Sequence, residues 1–269
     1  MTIMPYLSTT TCFFTWLSFS HAADSGVLTE SDKQDLVELN NHQRSTTALG
    51  NTPNQPMAKN MLKLEWDETL AESSKIWANR CKFEHDYDSG YGENLAIAGS
   101  HSDVIDNIGQ LLNGVEEWYE EYNFFNYDTL KCDEGEQCGH YTQSLWANSH
   151  KMGCAYSECP FSDFFAPNEV EFGILLVCRY NPKGNYLGVK PYFDASDESE
   201  IASLCPEGFQ KNLSNGLCEN DGSAPDPENP SSTLNPANPS DIDPVKDENI
   251  DGCRSFLRNN VVKRLRKWT

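Results

Sequence analysis

Ten cysteines punctuate this 269-residue chain, and no two of them form a C-x-x-C unit. A zinc ribbon needs such paired units, so these thiols read as disulfide partners, and their density belongs to an oxidising compartment. The N-terminus agrees. Tyr6 to Ser20 carries no charge and includes the apolar stretch Cys12-Phe13-Phe14-Thr15-Trp16-Leu17. Ser20-His21-Ala22 then places small residues at −3 and −1 for cleavage after Ala22, so residues 1–22 read as a secretory signal although no Lys or Arg precedes the apolar stretch. The expected destination is extracellular. Cleavage removes Cys12, and the nine cysteines that remain are an odd number, which leaves one thiol without a partner in the same chain.

Charge narrows the function classes. Asp and Glu number 41 against 20 Lys and Arg, a net charge of −21. Six basic residues (Arg254, Arg258, Lys263, Arg264, Arg266 and Lys267) and no acidic ones lie between Gly252 and Thr269, so the rest of the chain carries −27. Such a body repels a phosphate backbone, which excludes a general nucleic-acid binder. There is no run of 18 apolar residues, so no transmembrane segment is expected.

Local patterns give the organisation. Thr29-x-x-Asp32 before Leu36, Val37 and Leu39 predicts a helix start, and Asp67 predicts another ahead of Leu70, Ala71, Trp77 and Ala78. Val104, Ile108, Leu111, Val115, Trp118 and Tyr122 recur at helical spacing and predict a third helix. Two strands are expected after it: the β-prone Gly139-His-Tyr-Thr-Gln-Ser-Leu-Trp146, and residues 169–180, apolar on both faces through the middle. A strand apolar on both faces must be covered on both, so helices should sandwich the sheet, and helices first with strands later predict an α+β fold. Beyond Phe193 the composition changes. Cys205 to Cys218 forms a small loop, and residues 221–246 hold six of the fourteen prolines among Asn, Asp and Ser, a composition that does not order itself. Leu257, Val261, Leu265 and Trp268 form a last helical stripe beside the six cations.

Four segments together carry a family resemblance: Ala78-Asn-Arg-Cys-Lys-Phe-Glu-His85, Gly92-Glu-Asn-Leu-Ala96, Gly139-His-Tyr-Thr-Gln-Ser-Leu-Trp146 and Leu176-Val-Cys-Arg-Tyr-Asn-Pro-Lys-Gly-Asn185. Their order and spacing resemble the CAP superfamily (cysteine-rich secretory proteins, antigen 5 and pathogenesis-related type 1 proteins, or SCP/TAPS), and within it the venom-allergen-like proteins of parasitic worms. The resemblance implies a three-layer αβα sandwich over residues 28–192. A Cys hook at 193–220, a Pro/Asn/Asp-rich linker at 221–248 and a basic amphipathic tail at 249–269 follow. Two positions depart from the family pattern: Asn40, where the family often has His, and Ser144, at an otherwise apolar position. Local repacking is expected at both.

The resemblance also implies a cavity lined by His85, Glu93, Glu121 and His140. The residues agree with it: His140 heads an expected strand, and Glu121 lies about 60° around the helix from Trp118, at the edge of the apolar stripe. Glu117, one turn earlier, is the alternative if that register is off. Two imidazoles and two carboxylates suit a divalent ion such as Zn²⁺ with water in an open position, which permits hydrolysis in principle. The structural alternative is a hydrogen-bonded network that locks a sheet end to a helix. No Ser or Cys is placed beside a base as a nucleophile requires, so the expectation is a non-enzymatic protein with no required cofactor.

For ligands, the family implies sterol capture at the loop Tyr122 to Cys138, with Tyr122, Phe124, Phe125 and Tyr127 as aromatic walls, and fatty acid capture between the 31–45 and 103–122 helices. Four aromatics in six residues are too close to share one face, so at least one ring is expected to be exposed. Host or partner proteins are the remaining partner class. Family-like pairing implies Cys81–Cys159, Cys132–Cys138 and Cys154–Cys178, with Cys205–Cys218 closing a separate hook and Cys253 available for a disulfide-linked dimer. Spacing alone leaves the pairing open. Asn212-Leu213-Ser214 is the open glycosylation sequon. For the cationic tail, docking on an anionic membrane, docking on the acidic body and solvated disorder are equally physical.

Overall fold

The computed structural model describes residues 26–100, 107–160 and 172–223. The signal segment, nearly all of the Pro-rich linker, and the basic tail with Cys253 lie outside the described residues. In chain order the helices are α1 (Glu30–Ala48), α2 (Glu68–Ala78), α3 (Asn107–Glu120) and α4 (Gly139–Ser144). The strands are β1 (Met57–Ala58), β2 (Glu65–Trp66), β3 (Gly92–Ser100), β4 (Phe125–Asn126), β5 (Lys131–Cys132), β6 (Lys151–Pro160), β7 (Phe172–Asn181), β8 (Asp194–Ala195), β9 (Phe209–Asn212) and β10 (Leu217–Asn220).

Both expected caps form. The Thr29 hydroxyl accepts from the Asp32 N–H at 3.2 Å and the Asp32 carboxylate accepts from the Thr29 N–H at 2.7 Å, closing a reciprocal box on α1. The Asp67 carboxylate accepts from the Leu70 N–H at 2.9 Å and starts α2.

The central sheet runs β2-β6-β7-β3, with β2 parallel to β6 and the other neighbours antiparallel. Side chains alternate across it as the pleat requires. Met152, Cys154, Tyr156, Leu176, Cys178 and Tyr180 meet Leu36 of α1 and Leu111, Val115 and Trp118 of α3. Leu95, Cys159, Leu175 and Val177 meet Trp77 and Ala78 of α2 on the opposite face. The molecule is therefore an α+β, three-layer αβα sandwich, as expected from the doubly apolar β7. Two of the sheet's long strands, β3 and β6, were not anticipated as strands. Among the described residues no helix is long and apolar enough to cross a membrane.

One expected strand is a helix instead. Residues 139–144 form α4, because Tyr141, Ser144 and Leu145 are buried at helical spacing and the Leu145 N–H returns to the Tyr141 carbonyl at 2.9 Å. β-branched and aromatic content favours a strand only weakly, and tertiary packing overrides it here.

Four disulfides close: Cys81–Cys159, Cys132–Cys138, Cys154–Cys178 and Cys205–Cys218. The last hook is built into the body rather than separate from it. The Cys218 N–H donates to the Met61 carbonyl at 2.8 Å, the Lys63 N–H donates to the Cys218 carbonyl at 2.9 Å, and Leu217 and Cys218 are buried. β8 also pairs with β1, which ties residues 194–195 back to the start of the domain.

The departures Asn40 and Ser144 are absorbed by polar contacts. Asn40 donates to the Leu36 carbonyl at 2.9 Å and accepts from the Tyr180 hydroxyl at 3.3 Å. The Ser144 hydroxyl accepts from Asn94 Nδ2 at 3.0 Å.

Candidate functional site

The quartet is delivered by four elements that meet near the Gly92 end of β3. His85 lies on the loop from α2, Glu93 is the second residue of β3, Glu121 opens the 3-10 turn after α3, and His140 sits in the first turn of α4. His140 is thus on a helix, not at the head of a strand, because residues 139–144 coil. Glu121, not the exposed Glu117, is the carboxylate that meets it.

The four side chains assemble as two pairs of the same design. His85 Nδ1 lies 2.9 Å from Glu93 Oε1, which also accepts the Asp86 N–H at 3.1 Å. His140 Nδ1 lies 2.6 Å from Glu121 Oε1, and Glu121 Oε2 accepts the Tyr141 N–H at 3.0 Å. Each glutamate therefore holds both a ring and the backbone N–H one residue beyond it. A neutral imidazole that donates from Nδ1 carries its lone pair on Nε2, so both rings are fixed in one tautomer and orientation. The pairs flank β3 from its two faces. Glu93 shares the α2 side with Leu95, while Asn94 points the other way and donates to the His140 carbonyl at 3.0 Å. The Trp118 ring stacks on His140 at 5.9 Å, and its indole N–H donates to the Leu95 carbonyl at 3.0 Å.

Sequence reasoning missed the residue that completes the first pair. Arg179, opposite Glu93 in the β3–β7 register, is 3 % exposed. It donates to Asp86 Oδ2 at 2.7 Å, to Glu93 Oε2 at 3.2 and 3.3 Å, and to the Ser73 hydroxyl. A usable signal existed: an Arg inside a strand apolar on both faces needs polar partners there, and an acid is the commonest one.

These contacts occupy the carboxylates. Glu93 already serves an imidazole, a backbone N–H and a guanidinium, and Glu121 serves an imidazole and a backbone N–H. Among the described residues no group of three or more His, Cys, Asp or Glu side chains stands where it could hold a metal ion. The atoms suited to a metal are the two Nε2 lone pairs, with the glutamates behind them as orienting partners.

The aromatic loop is drawn inward. Phe125 and Tyr127 are buried and Tyr122 and Phe124 are half-buried, so none of the four rings is exposed, against the expectation that at least one would be. The backbone reverses through the 3-10 turn at residues 121–123 and the β4–β5 pairing, which aims successive rings into one cluster. Tyr141 is its centre, with ring centroids at 6.4 Å from Tyr122, 5.8 Å from Phe125 and 6.0 Å from Tyr119. Tyr127 packs tilted against Tyr192 with ring centroids 4.9 Å apart, and its hydroxyl donates to the Tyr192 carbonyl at 2.5 Å. Burial raises the phenol pKa of Tyr127, Tyr141 and Tyr192, so all three stay protonated. The Cys132–Cys138 bridge clamps the exit of the loop.

Two hollows remain. One of about 430 Å³ beside this loop is lined mainly by Asn, Gln and Asp. The other, about 660 Å³, does not lie between α1 and α3, which pack directly with Gln43 Nε2 3.4 Å from the Val115 carbonyl. It opens on the other flank of α1, floored by Val37, Leu64, Trp66 and Leu217, with Lys33 and Lys63 on its rim. The Trp66 indole N–H is buried without an acceptor among the described residues. The sequon residue Asn212 ends β9, at a turn whose Leu213 is exposed.

Comparison with known proteins places this geometry. Residues 37–180 match the model of the CAP family, described as the cysteine-rich secretory protein family. Peptidase inhibitor 16 of Mus musculus is 36% identical over 194 residues, which cover 71% of this chain and 34% of that protein. The chain thus spans about a third of the length of that relative. Cysteine-rich venom protein VAR5 of Varanus acanthurus is 34% identical over 189 residues, covering 70% of this chain and 76% of that protein. Among solved structures, Na-ASP-1 superposes with a TM-score of 0.59 at 24% identity, over 80% of this chain and 52% of that one, a likeness of fold. On the family match over more than half its length, the chain belongs to the CAP, or cysteine-rich secretory protein, family.

Proposed function

We propose that this chain is a secreted, non-enzymatic CAP protein that captures a small apolar ligand, with a fatty acid as the ligand best matched by the hollow beside α1. The observation that carries the reading is the 660 Å³ space beside α1, within the range of small-molecule sites. Its floor is apolar, its rim mixes Glu38 with Lys33 and Lys63, which pair with Glu30, Glu68 and Glu219, and the orphaned Trp66 N–H is a donor for a carboxylate or hydroxyl oxygen. Secretion is supported by the Cys-rich, fully bridged body and the apolar N-terminal segment. Sterol is the second ligand class, at Tyr122, Phe124, Phe125 and Tyr127, and its entry there requires those rings to leave Tyr141. The test is saturation binding of labelled palmitate and labelled cholesterol to the purified chain. Val37→Glu should weaken palmitate binding about tenfold by placing a charge on an apolar floor, whereas the Phe124→Ala/Phe125→Ala variant should affect cholesterol alone. If neither lipid binds saturably, the reading fails.

The twin Nδ1 tethers favour a second use, capture of a divalent ion such as Zn²⁺ by His85 and His140 through Nε2. A bound ion supplies Lewis acidity and lowers the pKa of its water. Glu93 and Glu121 orient the rings, and Arg179 keeps Glu93 in place. Calorimetry with Zn²⁺ on the parent and on His140→Ala tests this. Metal-dependent turnover of peptides or esters that disappears in His140→Ala would instead establish a hydrolase. Engagement of host or partner proteins, unchanged when the quartet is removed, would mark an interaction protein with an unused cavity.

A further inference from the structure

The 430 Å³ hollow between the turn at residues 54–56 and the aromatic loop is not the apolar slot a sterol needs, and its chemistry is one-sided. No Lys, Arg or His side chain lines it. Gln55 is 6 % exposed, and its Nε2 donates to the carbonyls of Tyr122 at 3.1 Å and Phe125 at 2.9 Å. The amide cannot be turned over without losing both bonds, so Gln55 Oε1 stays fixed as a buried acceptor with no donor among the described residues. Asp128 and Asp133 add exposed carboxylates, and Phe124 and Tyr127 supply ring walls. Asp194, the third carboxylate, is engaged by Lys190 at 3.2 Å.

An orphaned acceptor, two carboxylates and aromatic faces call for a cation that brings several hydrogen-bond donors of its own. A bare metal ion is a poor match, since no cluster of three metal-ligating side chains is present among the described residues. The molecule already shows the recognition on a small scale. The Lys190 ammonium lies 4.3 Å from the centroid of the Tyr127 ring while it pairs with Asp194. A guanidinium fits better than an ammonium, because it is planar, stacks on rings and carries five donors in a rigid fork.

We propose that this hollow is a recognition site for an arginine side chain presented by a separate polypeptide. Gln55 Oε1, Asp128 and Asp133 are the acceptors, and the half-buried Phe124 ring is the stacking surface, the Tyr127 ring being already covered by Lys190. The site is separate from the hollow beside α1 and from the imidazole pairs, and it shares the aromatic loop with the sterol reading.

The experiment is an amide-resolved NMR titration of the full chain with a capped Gly-Arg-Gly peptide and with its neutral citrulline counterpart. The arginine peptide should shift amides at 54–56 and 123–133 saturably, and the citrulline peptide should bind about tenfold more weakly. Asp128→Asn/Asp133→Asn, exposed positions whose change should leave the melting temperature intact, should weaken the arginine peptide about tenfold. The control Asp35→Asn/Glu72→Gln removes the same charge elsewhere and should leave affinity unchanged. Equal binding of citrulline, shifts confined to another surface, or an equal loss in the control, which would mean diffuse attraction to an acidic body, overturns the proposal.

Discussion

Arg44 shows what one residue does for this fold. Its guanidinium is fully buried on α1 and has no carboxylate partner among the described residues; it donates instead to five carbonyls, those of Leu62, Ser144, Trp146, Ala147 and Ser149. Burial pulls its pKa down to about 9, so it is still cationic at neutral pH. It ties the carbonyl of Leu62 to those at and just after the end of α4, of which Trp146 and Ala147 also accept from the Ser149 and Leu62 N–H groups. Arg44→Met should therefore destabilise the chain by about 3–5 kcal/mol, read as a lower urea midpoint, because several buried carbonyls lose a donor. Arg44→Lys, with three donors for five acceptors, should fall between. At this scale the sequence was legible where chemistry is scarce: two His and two Glu in distinctive motifs, and all eight bridging cysteines. Arg44, Arg179 and Gln55 were not legible, because their roles depend on carbonyls and acids brought in from distant segments. Nothing in their own neighbours in the chain announces that.

Elements were legible in proportion to how local their causes are. The caps of α1 and α2 depend on side chains within three residues, and both form where expected. The doubly apolar β7 announced a covered sheet. By contrast, α4 is helical through its burial against α1, β3 and the aromatic cluster, and β6 hides behind Gly153, Cys154 and Ser157, which carry little strand signal. Gly153 has a packing reason. A Cβ there would lie 2.3 Å from the Ala71 nitrogen and 2.4 Å from the Asp67 carbonyl oxygen, so the backbone of α2 seats directly on the strand. Gly153→Ala should cost about 3 kcal/mol or more, since backbone must move. Gly114→Ala is the matched comparison. Its Cβ would meet the Ala96 Cβ at 2.9 Å and the Leu176 Cδ2 at 3.7 Å, and a helix propensity gain of about 1 kcal/mol offsets part of the crowding. Thermal melts of the two variants should differ accordingly, with Gly114→Ala losing less than Gly153→Ala.

For the whole molecule, the bridges differ in what they restrain. Cys81–Cys159 closes 78 residues, whereas Cys132–Cys138 closes six. Loop-closure entropy then predicts a loss of about 4.5 kcal/mol for Cys81→Ser/Cys159→Ser and about 2 kcal/mol for Cys132→Ser/Cys138→Ser, both measurable by denaturant titration. Similar losses for the two would show that native contacts outweigh chain entropy. The domain as a unit was legible from motif order, but its edge was not. The composition shift near Phe193 marks where the sandwich ends, yet Leu217 and Cys218 return to fill its interior. That return has a consequence for survival among extracellular proteases. A nick anywhere from residue 206 to residue 217 would leave the severed strand covalently attached through Cys205–Cys218, still walling the hollow beside α1. The residues that wall this hollow all precede Ser223, so cleavage beyond it leaves every one of them in place.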